Sequence, residues 1–195
     1  MIVVSSNKIK NSALLHFANN GYDGTSLATI ASEVGIKKQS IYTHFANKDD
    51  LFLTIMNEVL IREQEYIQHF FSINASKDFK HTLYQFLQEY RERYKLHSDT
   101  KFLLRMGFLP PAHLVQQVTD SVYSYYDEVE KILIEFFEGN RHLLTSPVMD
   151  AVIAFIGLSD SILIELLYSG DERFQRRLQA SWNIFWQGMT LKEEE

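Results

Sequence analysis

The chain has no cysteine, and its 195 residues include only three prolines and eight glycines. Without thiols there is neither a disulfide framework nor a thiolate metal site. So few breakers leave long uninterrupted stretches, and no window alternates apolar and polar side chains over β-branched residues, so the expected class is all-α. A signal-peptide core is also lacking. The opening MIVVSSNKIK offers four apolar residues before polar ones take over, which leaves the cytoplasm as the expected location. The longest apolar run, VMDAVIAFIGLSDSILIELLY over 148–168, is long enough to cross a bilayer but carries Asp150, Asp160 and Glu165. Charges at that depth are costly, so the run reads as a buried helix and no membrane partner is expected. Motifs of catalysis are missing too: the seven histidines form no HExxH pairing, and there is no nucleophile elbow or phosphate-cradling glycine loop. No enzyme activity, cofactor or metal is expected.

What is present is apolar content of 46 %, ample for a substantial core, and an uneven charge. Residues 1–48 hold five lysines against Asp23 and Glu33, a net of +3, while the remaining 14 basic and 23 acidic groups sum to −9. A small basic part on an acidic body suggests a head that binds a polyanion and a body with another task, with the boundary at 48/49 and the body over 49–195.

Helical spacing puts Ile9, Ala13 and Phe17 on one face before the turn NNGYDG. TSLATIASEVG opens with hydroxyl residues suited to an N-cap, places Leu27, Ile30, Ala31 and Val34 together and stops at Gly35. A further short helix is expected over Lys38 to Phe45, then a long one starting near Asp49 and Asp50 and ending near SINASK. Downstream stripes include Phe79, Leu83, Phe86 and Tyr90, and then Val118, Val122, Tyr125, Val129, Ile132 and Phe136. HSDT, Pro110-Pro111, EGN and TSP separate these segments.

Two short helices joined by a glycine turn and packed by a preceding helix form a helix-turn-helix unit, whose second helix fits a DNA major groove. At about 100° per residue, Ile41 and Phe45 share the core face while Lys38, Gln39, Tyr42 and Thr43 lie elsewhere. Lysine neutralises phosphate, glutamine offers a donor and an acceptor to an adenine edge, and threonine brings a methyl or a hydroxyl. Lys48, just before Asp49 at a helix start, is placed to clamp a phosphate together with free N–H groups.

ALLHFANNGYDGTSLATIASEVGI followed by SIYTHFANKDDLF resembles the DNA-binding domain of the TetR family of bacterial transcriptional regulators. Matching positions include Phe17, Gly21, Tyr22, Thr25, Ile30, Ala31, Gly35, Ile36, Tyr42, His44, Phe45, Lys48 and Leu51. The resemblance implies a homodimer with an N-terminal three-helix DNA-binding head and a C-terminal helical bundle for dimerisation and ligand binding. It implies a phosphate contact for Thr25, DNA-backbone contacts for Tyr42, His44 and Lys48, and a sequence-reading role for Lys38 and Gln39. With Lys37, Ser40 and Thr43 these complete the candidate DNA-binding set. Alternatives stand beside three roles: Tyr42 packs beneath the recognition helix, His44 caps a helix C-terminus, or Lys37 and Lys38 are solvated charges. Two positions depart from the pattern. Lys37 replaces the usual hydroxyl cap, which leaves the helix start open, and Ala28 stands where many members have arginine.

In the body, 148–168 is apolar nearly all round and 172–189 carries Phe174, Leu178, Trp182, Phe185 and Met189 on one face. Such helices need neighbours on every side, either inside a monomeric bundle or from a second copy. A symmetric dimer is the expectation, with Val152, Phe155, Ile156, Leu163, Phe174, Leu178, Trp182 and Phe185 in its interface and Ala151, Ala154 and Gly157 permitting close approach. Phe86, Tyr90, Tyr94, Phe102, Met106, Phe108, Tyr123, Tyr126 and Phe155 are candidates to line an apolar pocket for a small molecule of unknown identity, or else are ordinary core. Asp160 is its candidate polar handle, or a paired interface charge. The expected function is a repressor that binds a near-palindromic double-stranded operator as a homodimer and is released by a small, largely hydrophobic ligand. An activator, a regulator without ligand, and a helical hydrophobe or lipid carrier without specific DNA binding remain the alternatives.

Overall fold

A computed structural model describes residues 6–168 and 170–191. The opening MIVVS, part of the segment that reads as too polar for a signal peptide, lies outside them. Among the described residues there are nine α-helices and no strand: α1 Ser6–Asn20, α2 Leu27–Val34, α3 Lys38–Ile41, α4 Lys48–Ile73, α5 Phe79–Leu96, α6 Ser98–Phe108, α7 Val115–Glu138, α8 Val148–Tyr168 and α9 Asp171–Met189. The chain divides into two compact units, Met1–Glu63 with Lys95–Tyr125, and Gln64–Tyr94 with Tyr126–Glu195. This division by packing differs from a head and body split at residue 48, because α6 and the start of α7 belong with the N-terminal helices.

In the first unit, α1 buries Ile9, Ala13 and Phe17, and the chain leaves it through Gly21 at φ +75°. Ser26 caps α2, its hydroxyl accepting from the Thr29 amide at 3.1 Å. Gly35 closes the helix at φ +75°, a left-handed conformation that side chains with a Cβ adopt only with strain. The recognition segment is shorter than its spacing predicts: α3 is four residues, followed by a turn over 42–44. The cause is local. Lys37 makes no side-chain capping bond, so the helix start is held only by backbone bonds and by the burial of Ile41 and Phe45, whose amide still donates to the Ile41 carbonyl at 3.0 Å. At the start of α4 the capping is reciprocal. The Asp50 amide donates to Asn47 Oδ1 at 2.9 Å, and Asp50 Oδ2 accepts from the Ala46 amide at 2.8 Å.

Rings of Phe17, Tyr22, Phe52 and Phe102 tie these helices together, with Phe17–Phe52 and Tyr22–Phe52 edge-on at 5.3 Å and Phe52–Phe102 at 5.5 Å. Each such ring buried is worth about 1.5–3 kcal/mol, with about 0.5–1.5 more per pair. Helix α6 docks on the C-terminal end of α1, where Arg105 Nη1 donates to the Asn19 carbonyl at 2.5 Å and Lys101 Nζ to Asn19 Oδ1 at 2.7 Å. These cations satisfy acceptors that the end of α1 leaves open. HSDT, expected as a separator, yields only His97 to the break, since α6 restarts at Ser98.

The second unit is built on Phe70, Phe71, Phe79, Phe86, Phe136, Phe137 and Phe155, with Phe71–Phe136 at 4.8 Å and Phe71–Phe86 at 5.0 Å between centroids. Helix α8 packs along α9. Arg177 Nη2 lies 2.5 Å from Glu165 and Nη1 donates to the Ser161 carbonyl at 2.9 Å. The far end of this hairpin is fastened by the Thr145 amide donating to the Met189 carbonyl at 2.9 Å and the Leu191 amide donating to the Leu143 carbonyl at 3.0 Å.

Candidate nucleic-acid interface

Between residues 37 and 47 only Ile41, fully buried, and Phe45, 5 % exposed, point inward. Lys37, Lys38, Gln39, Tyr42, Thr43 and His44 are exposed and Ser40 is half-buried, so the segment offers one continuous polar surface. Thr43 donates its hydroxyl to the Ser40 carbonyl at 2.7 Å, which fixes its side chain and leaves its methyl and an oxygen lone pair outward. Tyr42 keeps 48 % of its surface, and the ring of His44 lies 6.4 Å from that of Phe45.

Thr25 is placed otherwise than expected. It is 3 % exposed and donates its hydroxyl to the Gly21 carbonyl at 2.7 Å, so its side chain braces the turn after α1 instead of facing outward. The exposed hydroxyls at the start of α2 are those of Ser26 and Thr29, 2.8 Å apart. The sequence carried that signal in Ser26 as the residue before the first apolar helical position, a preferred N-cap.

Lys48 opens α4, its Nζ 3.9 Å from the centroid of the Tyr22 ring. Burial pushes the Lys48 ammonium below its ordinary value, against the opposing pull of Asp23 and Asp49. The Tyr22 hydroxyl donates to Asp49 Oδ1, and His113 Nε2 approaches the same oxygen at 3.1 Å. The Tyr22 hydrogen bond, with that of His113, holds the Asp49 carboxyl below the usual carboxylate range. Burial and the bond to Asp49 push the Tyr22 hydroxyl well up. Neither Tyr22 nor His113 stands out in the sequence as part of the site. Tyr22 lies 26 positions before Lys48 and His113 lies 65 after it, so only the fold brings them together.

The candidate pocket residues divide between the units. Phe102 and Met106 are buried in the first unit's core, Phe108 is half-buried and Tyr123 is 65 % exposed. In the second unit Phe86 packs on Tyr90 at 5.4 Å and on Phe155 at 6.2 Å, and Tyr94 is half-buried. The Tyr126 hydroxyl donates to Asp160 at 2.9 Å, and burial pushes the Asp160 carboxyl up to about 6. The second unit also has an open groove of about 350 Å³ lined by Asp78, Lys80, His81, Tyr84, Gln179, Trp182 and Asn183.

Of the expected interface residues, Val152, Phe155, Leu163, Phe174, Leu178 and Trp182 are already buried by their own chain. They form the core beneath a surface and leave nothing for a partner to cover; Ile156 and Phe185 are half-exposed. What α8 and α9 expose is a different apolar set: Met149, Ile153, Tyr168 and Ile184, with Leu191 just beyond. Spacing located the apolar helices, but on a helix apolar nearly all round it does not tell the inner face from the outer.

Residues 11–55 match the family model of bacterial regulatory proteins, tetR family. The biofilm operon icaADBC HTH-type negative transcriptional regulator IcaR of Staphylococcus epidermidis is 30 % identical over 134 residues, 62 % of this chain and 68 % of that protein. The Staphylococcus aureus (strain Newman) form is 34 % identical over 94 residues, 45 % of this chain, which thus spans about half (48 %) of that relative's length. A TetR-family transcriptional regulator structure from Mesorhizobium loti superposes with TM-score 0.70 at 22 % identity, covering 95 % of this chain and 96 % of that one. FadR from Bacillus subtilis, solved in complex with stearoyl-CoA, superposes with TM-score 0.67 at 17 % identity, covering 94 % and 99 %. These last two likenesses establish the fold. The match to IcaR, with that to the family model, identifies the chain as a member of the TetR family of DNA-binding transcriptional regulators, and not an enzyme.

Proposed function

We propose that this regulator is a repressor that binds a near-palindromic operator as a homodimer in the cytoplasm and is released by a small, largely hydrophobic molecule. The observation that carries the reading is the surface of 37–48, where Lys37, Lys38, Gln39, Tyr42, Thr43 and His44 are exposed, Ser40 and Lys48 are half-exposed, and only Ile41 and Phe45 are buried. In it Lys37, Tyr42, His44 and Lys48 hold phosphates, and Lys38, Gln39 and Thr43 read base edges. The relatives support repression, since IcaR is a negative regulator. Residues 1–48 act as the DNA-binding part and 49–195 as the dimerising and ligand-binding part, although α6 packs with the former.

Dimerisation is supported by the apolar face that α8 and α9 leave open. Ile153 is 52 % exposed and Ile184 75 %, and a Cβ added at Gly157 or Gly188 would meet no atom within 4 Å, so a second helix has room to approach. Ile156 and Phe185 belong to its rim. Two recognition helices would then lie about 34–36 Å apart, or a multiple of that. The ligand reading is supported by the aromatic second unit and by Asp160, a part-buried carboxyl bonded to the Tyr126 hydroxyl. The test is selection of duplexes from random DNA by the purified protein. An inverted-repeat site should be enriched, and its complex should survive salt that releases unrelated DNA. Recovery of no half-site would leave the hydrophobe carrier as the better reading.

A further inference from the structure

The geometry points to His113, in the connector between α6 and α7, as a positioning residue for the DNA-phosphate contact of Lys48, acting through Asp49 and Tyr22. The inference rests on the DNA-binding reading above and adds to it a residue outside the first 48. Asp49 sits beside Lys48 in the first turn of α4, and an ionised carboxylate there repels an incoming phosphate. The fold meets this charge with two donors on one oxygen: the Tyr22 hydroxyl, and His113 Nε2 at 3.1 Å. The same Tyr22 ring carries the Lys48 ammonium on its face, 3.9 Å from the centroid, and meets the His113 ring edge-on at 5.2 Å. Tyr22 is therefore gripped by Phe17, Phe52, His113 and Asp49 while it supports Lys48.

The other acid of this turn, Asp50, is engaged by the Ala46 amide. Asp23, exposed near Lys48, is the remaining negative group that acts on it. His113 is held in place by its neighbours in sequence: Pro111 precedes the 3-10 turn Ala112–Leu114, and Leu114 is buried in the first unit's core. Removing His113 frees one lone pair of Asp49 and one side of the Tyr22 ring, so Lys48 loses its fixed seat without any change to the recognition helix itself. The His113–Asp49 contact is more than a third exposed on both sides, so the effect is expected to be small in size and specific in kind.

The experiment uses the full chain and two probes, the duplex enriched by selection and a scrambled duplex, with affinity followed from low to moderate salt. His113→Ala should weaken both by about two- to fivefold and reduce the salt slope by a fraction of one phosphate contact. His113→Gln, which keeps a donor, should restore most of the loss. Tyr22→Phe should mimic His113→Ala, and in a Lys48→Ala background neither change should weaken binding further. If His113→Ala weakens binding equally in the presence and absence of Lys48, or if His113→Ala binds as the unaltered protein does while Lys48→Ala does not, the positioning role is overturned and DNA binding stands. If the unaltered protein shows no salt-dependent retention of either duplex, the DNA-binding reading itself falls, and the positioning role with it. Melting of each variant, measured alongside, separates loss of fold from loss of contact.

Discussion

At the scale of single residues, the sharpest contrast lies between Lys48 and Gln39. A lysine on phosphate carries no sequence information, so Lys48→Ala should weaken binding to every duplex and lower the salt slope by about one unit. Gln39 is exposed on α3, and Gln39→Ala should relax preference at one base position by about 1–3 kcal/mol, read by competition among single-base variants of the selected site. Asp160 gives a pH prediction. Its carboxyl has a folded value of about 6 against 3.8 ordinarily, so the folded chain holds that proton more tightly than the unfolded one. Its contribution is then most favourable below about 4, declines as pH rises from there to about 6, and is level above. Asp160→Asn retains an acceptor for Tyr126 and removes the charge. It should raise stability near pH 7.5 by on the order of 2 kcal/mol and leave it little changed near pH 4, as denaturation midpoints at the two pH values would show.

At the scale of elements, boundaries were legible wherever a side chain declares them and obscure where packing decides. Ser26 and Gly35 bracket α2 as their chemistry requires, and the Asp pair opens α4. Gly35→Ala meets no steric obstacle, since nothing lies within 4 Å of the added Cβ, but it keeps the chain at φ +75°. The expected loss is about 1–2 kcal/mol, measurable by urea denaturation. The run from Lys38 to Phe45 has helical spacing throughout, yet only Lys38–Ile41 is α-helix and residues 42–44 form a turn, a boundary that spacing does not mark. Thr25 was misplaced for another reason. Its hydroxyl finds a carbonyl four residues back, a bond that a sequence motif does not reveal.

At the scale of the whole molecule, the fold class and the helix-turn-helix were written in periodicity and punctuation, and the polar surface followed from them. The cluster at Lys48 and the outer face of α8 and α9 were not, since both depend on which long-range neighbour covers which side chain. Ile184→Asp tests the proposed dimer face directly. Ile184 is 75 % exposed, so the change should leave the monomer folded yet shift sedimentation at micromolar concentration to the monomer and reduce operator affinity toward that of a half-site. A dimer that persists unchanged would place the contact elsewhere. The hydrogen bonds joining residues 143–145 to 189–191 bear on how this face can be handled. They close the α8–α9 hairpin into a ring, so the exit of α9 lies against the entry of α8. A label at Thr145 and another at Leu191 would start as close neighbours, and their separation would act as a gauge of whether operator or ligand opens the ring.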